Sequence, residues 1–241
     1  MDFIDLHCHY LPAVDDGVRS LEESIKLLKA LKSIGYKKVV CTPHIRTGMF
    51  DNNPTTLRAA FERFVAETEL VDGLPELGLA AEHYYDDVFW EMFLEDKLLR
   101  YPGDKAALVE FNPARPPLNV ENQFFKMKVH GLSPVLAHPE RYEQSQHDLG
   151  WLERYTELGV LLQLDLMSLV GKYGRHAKHA AKKLLDGGLY TIACSDCHRP
   201  EHVPFVKEAI EHLISQVGEK PAFKLLSEGP KRVLDDAGEA G

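Results

Sequence analysis

The stretch Asp2-Phe3-Ile4-Asp5-Leu6-His7-Cys8-His9 opens as an apolar, β-rich run and ends in two histidines one residue apart. Residues two apart on a strand share a face, so His7 and His9 point together and Cys8 points away. Further along, Leu21, Ile25, Leu28, Leu31 and Ile34 repeat at helical spacing. Ser20 and Glu23 offer a capping box at the start of that helix, and Gly35 ends it. A second β-rich run follows at 37–42. The unit then recurs: runs at 2–8, 37–42, 76–82, 106–111, 133–138, 159–165 and 189–195 read as seven strands. A helix between them starts at the cap and proline Asn53-Pro54, with Leu57, Phe61, Phe64 and Val65 on its apolar face. Others are expected near 118–130, 148–158, 175–187 and 203–217. Strands alternating with helices argue for an α/β fold with a parallel sheet. Seven units of about 30 residues favour a barrel, although the pattern alone leaves a doubly wound sheet open. No linker or low-complexity tract divides the chain, so one domain over 1–241 is expected. Either architecture places function at the C-terminal ends of the strands.

The chain has 241 residues, 12 of them histidine, and a formal charge of -9 from 28 Lys+Arg against 37 Asp+Glu. That balance repels phosphate backbones and excludes a general nucleic-acid or membrane-surface binder. With 44% apolar residues there is material for a full core. No apolar run approaches the ~18 residues that span a bilayer. Met1-Asp2-Phe3-Ile4-Asp5 lacks the basic start and apolar stretch of a secretory signal, so a cytoplasmic location is expected. Four cysteines make no disulfide framework. Cys194 and Cys197 form a CxxC with neither a helix opening on it nor a second pair, and small buried thiols are the expected reading.

The chemistry gathers where the runs end. After His7-Cys8-His9 come Cys41-Thr42-Pro43-His44, Ala81-Glu82-His83, Val109-Glu110-Phe111, Ala137-His138-Pro139-Glu140-Arg141 and Cys194-Ser195-Asp196-Cys197-His198. Asp15-Asp16-Gly17 adds carboxylates in the loop after the first run. Buried imidazoles and carboxylates at six strand ends are costly unless something pairs them, and divalent metals do so. Arg46 and Arg141 lie two and three residues after such positions. They are candidates to neutralise phosphoryl oxygens, with loop salt bridges as the plainer alternative. Lys172 and Arg175, after the sixth run, are secondary candidates.

The set His7-x-His9, Asp16, His44, Glu82, Glu110, His138 and Asp196-x-His198 resembles the ligand set of the polymerase and histidinol phosphatase (PHP) superfamily. Within it, the chain is most similar to the bacterial manganese-dependent tyrosine phosphatases of capsule and exopolysaccharide synthesis. That likeness rests on Val14-Asp15-Asp16-Gly17, His44-Ile45-Arg46-Thr47-Gly48-Met49-Phe50, Ala81-Glu82-His83-Tyr84-Tyr85, His138-Pro139-Glu140-Arg141-Tyr142 and Ser168-Leu169-Val170-Gly171-Lys172-Tyr173-Gly174. It runs from residue 2 to about 235. The resemblance implies a distorted seven-stranded (β/α)7 barrel and three divalent ions, manganese with iron or zinc as alternatives. His7, His9, Glu82 and Asp196 would hold the first. Glu82 would bridge to the second, shared with Glu110 and His138. Asp16, His44 and His198 would hold the third. It also implies in-line attack of a metal-bridging hydroxide on a phosphate monoester. The expected substrate is phosphotyrosine in the cytoplasmic tail of a membrane tyrosine kinase.

Thiol-type tyrosine phosphatases use Cys-x5-Arg, whereas Cys41 to Arg46 and Cys194 to Arg199 each span four residues. No nucleophile elbow supports a Ser-His-Asp triad. A small-metabolite phosphatase of the histidinol-phosphate type, a metal-dependent amidohydrolase and a metal-bound module without turnover are the alternatives; a nuclease lacks a basic groove. His83 should point away from Glu82. Tyr84 and Tyr85 could line an aromatic-ester pocket or simply pack. His130, His147, His176, His179, His202 and His212 are expected at the surface.

Overall fold

β1 (Phe3–Cys8) is buried along its whole length, as a strand covered on both faces must be. In the computed structural model, which describes residues 2–115, 117 and 120–235, the chain continues through α1 (Leu21–Ser33), β2 (Tyr36–Cys41), β3 (His44–Ile45), α2 (Pro54–Thr68), β4 (Glu76–Leu79) and β5 (Glu82–Tyr84). It proceeds through α3 (Asp87–Leu94), β6 (Ala106–Glu110), α4 (Glu121–Val129), β7 (Ser133–Ala137), α5 (Gly150–Glu157) and β8 (Leu161–Asp165). Then come α6 (Leu166–Leu169), α7 (Gly174–Asp186), β9 (Tyr190–Cys194), α8 (Val203–Val217), α9 (Glu219–Phe223) and α10 (Gly229–Asp235). The expected helix at 118–130 is observed from Glu121; positions 118 and 119 lie outside the described residues.

Every strand pairing is parallel, in the orders β1-β2-β4 and β3-β5-β6-β7-β8-β9. Nine strands therefore stand among the described residues where seven were expected. The runs at 37–42 and 76–82 each stop and resume. Thr42-Pro43 separates β2 from β3, and proline has no N–H to give the ladder. Ala80 and Ala81 separate β4 from β5: Ala80 N donates to Cys41 O at 2.8 Å, but Ala81 N turns away to Leu99 O at 3.0 Å. At the other margin β1 meets the segment after β9. Asp196 N donates to His7 O and His9 N to Cys197 O, both at 2.9 Å.

Two apolar layers hold this arrangement. Ile4 and Leu6, Ala106 and Leu108, Val135 and Ala137, and Ile192 and Cys194 are pairs two residues apart, so each pair shares a face, and all join one buried cluster with Tyr101 and Val233 and Leu234 of α10. The opposite faces, including Val39, Val109, Leu136, Leu164 and Ala193, pack against α1, α7 and α8 in the larger core. Inside, the Tyr101 hydroxyl donates to Leu6 O at 2.8 Å.

The α1 cap is half of what the sequence suggests. Ser20 Oγ accepts from Glu23 N at 3.2 Å, but Glu23 Oε2 accepts from Arg19 N at 2.8 Å, one residue before the cap. A complete capping box forms instead at α2, where Asn53 and Thr56 satisfy each other's backbone N–H groups.

The turn into β6 depends on Gly103. Its φ is +97°, and a Cβ there would lie 2.0 Å from Leu234 O of α10. Strain and collision act together, so Gly103→Ala is expected to cost on the order of 2 kcal/mol. Thermal unfolding should show a midpoint lower by roughly 4–8 °C. An unchanged midpoint would show that α10 does not press on this turn.

Candidate metal centre

The strand ends bring all nine expected ligand positions together. Glu82, at the start of β5, lies at the middle. Its Oε2 is 3.1 Å from His7 Nε2, 3.0 Å from His44 Nδ1 and 3.6 Å from His9 Nε2, and its Oε1 is 3.1 Å from His138 Nε2. Asp196 Oδ1 lies 3.2 Å from His7 Nε2 and 3.4 Å from His9 Nε2. Asp16 Oδ1 lies 3.4 Å from His44 Nε2 and 3.5 Å from His198 Nε2. Glu110 Oε1 is 3.8 Å from His138 Nε2. Three groups can offer donor atoms within 4.8 Å of one another: His9, Asp16, His44 and His198; His7, His9 and Glu82; and His44, Glu82 and Glu110. His9 thus reaches two of them. Glu82 and His7 are closed off from solvent, whereas the Asp16 side chain is 55% exposed. The cluster opens on the Asp16, His44 and His198 side.

Three imidazoles are turned inward by what holds their outer nitrogen. His7 Nδ1 sits 2.6 Å from Gln163 Oε1, His9 Nδ1 2.8 Å from Asp15 Oδ2, and His198 Nδ1 2.9 Å from Asp196 O. Each acceptor favours a proton on Nδ1 and directs Nε2 at the common centre, the orientation that metal-binding histidines require. His9 Nε2 and Asp196 Oδ1 are buried there with no hydrogen-bond partner. Unsatisfied buried donors and acceptors are rare, and a cation between these atoms would satisfy both. The residues fit a metal site.

Charge explains the titration of the group. Burial pushes His7 down, but the Glu82 and Asp196 carboxylates beside it win and raise it to about 10. His198, also opposed by burial, is raised to about 9 by Asp196 and Asp16. Against their own burial, Glu82 is held well below the usual carboxylate range by His7 and His44, and Asp196 by His7 and His198. At the far edge the order reverses. Burial, then the Glu82 charge, raises Glu110 to about 7, and burial with the nearby Arg141 lowers His138 to about 4.

Two of these residues sit in left-handed backbone: His138 at φ +34° and Asp196 at φ +48°. Such conformations cost a non-glycine residue of order 1 kcal/mol or more and cluster at functional sites. Hydrogen bonds hold both turns, Asp196 N to His7 O and Arg141 N to His138 O, each at 2.9 Å. Gly17 serves the same end. A Cβ at Gly17 would meet His9 O at 2.4 Å, so a side chain there would push the Asp15–Asp16 loop off His9.

The arginines differ. Arg141 Nη1 pairs with Asp196 Oδ2 at 2.6 Å and lies 3.4 Å from Asp165 Oδ2, with the guanidinium over the Tyr173 ring at 4.3 Å. Arg46 meets no carboxylate among the described residues and lies over the Tyr84 ring at 4.1 Å. Lys172 and Arg175 are exposed, and Lys172 stands over Phe205. His83 does point away: Leu99 N donates to its Nε2, and its Nδ1 meets Leu108 O. His130, His147, His176, His179 and His212 are exposed; His202 is half-buried beside His198. Cys8, Cys41, Cys194 and Cys197 are free and buried, and burial pushes every one of these thiols up, which disables a thiolate nucleophile. Sequence reasoning gave no role to Asp15, Gln163 or Asp165, which hold His9, His7 and Arg141 respectively. The signal was present: Asp15 adjoins Asp16, and Gln163 and Asp165 share a face at the end of β8.

The chain is 29% identical over 227 residues to the tyrosine-protein phosphatase YwqE of Bacillus subtilis, covering 92% of this chain and 88% of that protein. It is 26% identical to the tyrosine-protein phosphatase CpsB of Streptococcus pneumoniae, covering 97% and 98%. A crystal structure from work on those two proteins, called unique metal-dependent tyrosine phosphatases, superposes with a TM-score of 0.89 at 27% identity, covering 97% of this chain and 95% of the other. A lactonase from Listeria monocytogenes, at 13% identity and a TM-score of 0.59, shares the fold alone. The profile of the capsular polysaccharide synthesis CpsB/CapC family matches residues 3–235, and the chain belongs to that family.

Proposed function

We propose that this chain is a metal-dependent protein-tyrosine phosphatase that hydrolyses phosphotyrosine in a protein substrate. The observation that carries this reading is the set of inward-turned Nε2 atoms around Glu82 and Asp196, in a chain whose relatives bear that activity in their names. Imidazoles mixed with carboxylates suit manganese, iron or zinc better than magnesium. Three divalent ions, manganese first, are the proposed complement. His7, His9, Glu82 and Asp196 would hold one; Glu82, Glu110 and His138 a second; Asp16, His44 and His198 a third. When bound, such ions supply Lewis acidity and a nucleophile available at neutral pH.

The chain's own groups do the rest. Gln163 Oε1 and Asp15 Oδ2 keep the protons of His7 and His9 on Nδ1. Arg141, packed on Tyr173 and anchored by Asp196, keeps other N–H donors for the phosphoryl oxygens. Arg46, without a carboxylate partner, is a second cation for the same oxygens. We read the nine strands as seven interrupted runs of a distorted barrel forming one domain. The proposed partner is the cytoplasmic tail of a membrane tyrosine kinase of polysaccharide synthesis. No helix among the described residues is long and apolar enough to cross a membrane. Four unpaired, buried cysteines suit a reducing cytoplasm, the proposed location.

Four measurements test the reading. Turnover of a phosphotyrosine peptide should fall at least 100-fold on chelation, recover with manganese, and fall comparably in His7→Ala; activity that survives both treatments overturns it. A substrate panel including small phosphate monoesters separates it from a metabolite phosphatase. Gln163→Leu leaves His7 Nδ1 without its acceptor, and metal affinity in a competition titration should fall about 10–100-fold; unchanged affinity would mean that Gln163 does not set the tautomer. Finally, the raised His7 and His198 hold protons near pH 7 in the metal-free chain. Ions must displace them, so adding manganese to weakly buffered protein should acidify it, and affinity should rise with pH. Binding with no proton release would contradict these charge states.

A further inference from the structure

The parallel register of β3 and β5 pairs His44 with Glu82 and Ile45 with His83. Continued by one step, it sets Arg46 beside Tyr84, and the Arg46 guanidinium does lie 4.1 Å from the Tyr84 ring centre. Side chains two residues apart share a face, so Arg46 and Tyr84 form the layer immediately above the His44–Glu82 ligand layer, ~6.6 Å farther along the strands. Phe50 joins that layer. Arg46 N donates to Phe50 O at 3.1 Å and Phe50 N to Arg46 O at 2.8 Å, and the Phe50 ring stacks on His44 at 5.1 Å and 12°. The wall stands on the His44 side of the cluster, which is the side that opens to solvent. All three residues are half-buried, and Met49, 58% exposed, forms the lip.

The loop carrying Phe50 is fastened. Asn52 Nδ2 donates to both His44 O and Val14 O at 2.8 Å, and Gly48 N donates to Asp51 Oδ1 at 2.7 Å. A pinned aromatic surface one layer above a phosphoryl site contacts whatever lies one ester oxygen away from phosphorus. In an aryl phosphate that is a flat ring. In a phosphoserine it is a single methylene followed at once by the peptide backbone.

We propose that Phe50, Tyr84 and Arg46 form an aryl-recognition wall that contacts the ring of an aromatic phosphomonoester. This rests on the phosphatase reading above and adds the residues that meet the ester group. Phe50 and Tyr84 offer ring faces for offset or edge contact with the substrate ring. Arg46, held by Tyr84, presents its guanidinium plane for cation–π contact with that ring or its N–H groups for the phosphoryl oxygens. The Phe50 and Tyr84 rings act on the ester group, so their contribution is separable from the affinity for the phosphoryl group, which Arg46 shares with the rest of the site.

The test uses the full-length, metal-loaded protein with phenyl phosphate and a phosphotyrosine peptide as substrates and inorganic phosphate as a competitive inhibitor. Phe50→Leu and Tyr84→Leu are each expected to lower kcat/KM for both aryl esters about tenfold, as loss of an apolar contact does, while the inhibition constant of phosphate moves less than about twofold. Tyr84 meets no proposed ligand, so its variant guards against lost metal; metal content is measured on both. Unchanged kcat/KM in both variants, or a phosphate constant that shifts by the same factor as kcat/KM, overturns the wall while leaving the phosphatase reading standing. A wild-type protein that turns over no aryl phosphate overturns both.

Discussion

Glu82 is a carboxylate with almost no exposure to solvent and four imidazole rings around it. An isolated ion in that position would cost many kcal/mol and would neutralise itself instead. Here the opposite happens, because His7 and His44 hold Glu82 ionised against its burial. That balance requires positive charge at the centre at all times, as protons on imidazole or as cations in their place. The strand ends, the strained turns and the loop at Asp15 can be understood as means of keeping these groups within reach of one carboxylate.

Rigid strands supply most of the positioning. His44 and Glu82 are register partners on neighbouring parallel strands, so their approach follows from backbone pairing. His7 is reached from below. Tyr101 donates to Leu6 O, Gln163 Nε2 lies 3.4 Å from the Tyr101 hydroxyl, and Gln163 Oε1 meets His7 Nδ1. The buried interior of the sheet is thus connected to the orientation of a ligand. Proposed ligands that no strand can place are set by turns instead: His138 and Asp196 follow β7 and β9 in left-handed backbone.

Most of the proposed ligand positions stood out because they follow apolar runs, and a polar group at the end of a buried strand must be paired; Asp16 lies instead in the loop after the first run. The α/β alternation and most helices were legible for the same reason, from periodicity. The two strand interruptions were not. Pro43 stood in plain view, but the sequence does not say that pairing resumes after it at His44, nor that Ala81 turns to Leu99. The orienting groups were harder still. Nothing in Gln163 announces His7 as its partner, since the two lie 156 positions apart and meet only because β1 and β8 face one interior. Asp15 and Asp16 differ in role by which side of one turn they occupy, and the approach permitted by Gly17 decides that.

Asp196 ties the cluster to its surroundings. Its Oδ1 faces His7 and His9, and its Oδ2 holds Arg141 at 2.6 Å. One carboxylate cannot serve two cations at full strength. If a metal ion shared Asp196 with Arg141, it would draw the carboxylate's charge toward the centre and loosen its hold on the guanidinium. Arg141 keeps its place, because Tyr173 packs against it and Asp165 stands beside it. The outcome would be a fixed arginine with donors to spare, beside a centre turned from balanced to positive by the proposed ions. The formal -9 of the chain therefore says little about this end of the strands. With the proposed ions in place, an anion approaching Asp16, His44 and His198 would meet local charges of the opposite sign, and the carboxylate of Asp196 would set the strength of that attraction.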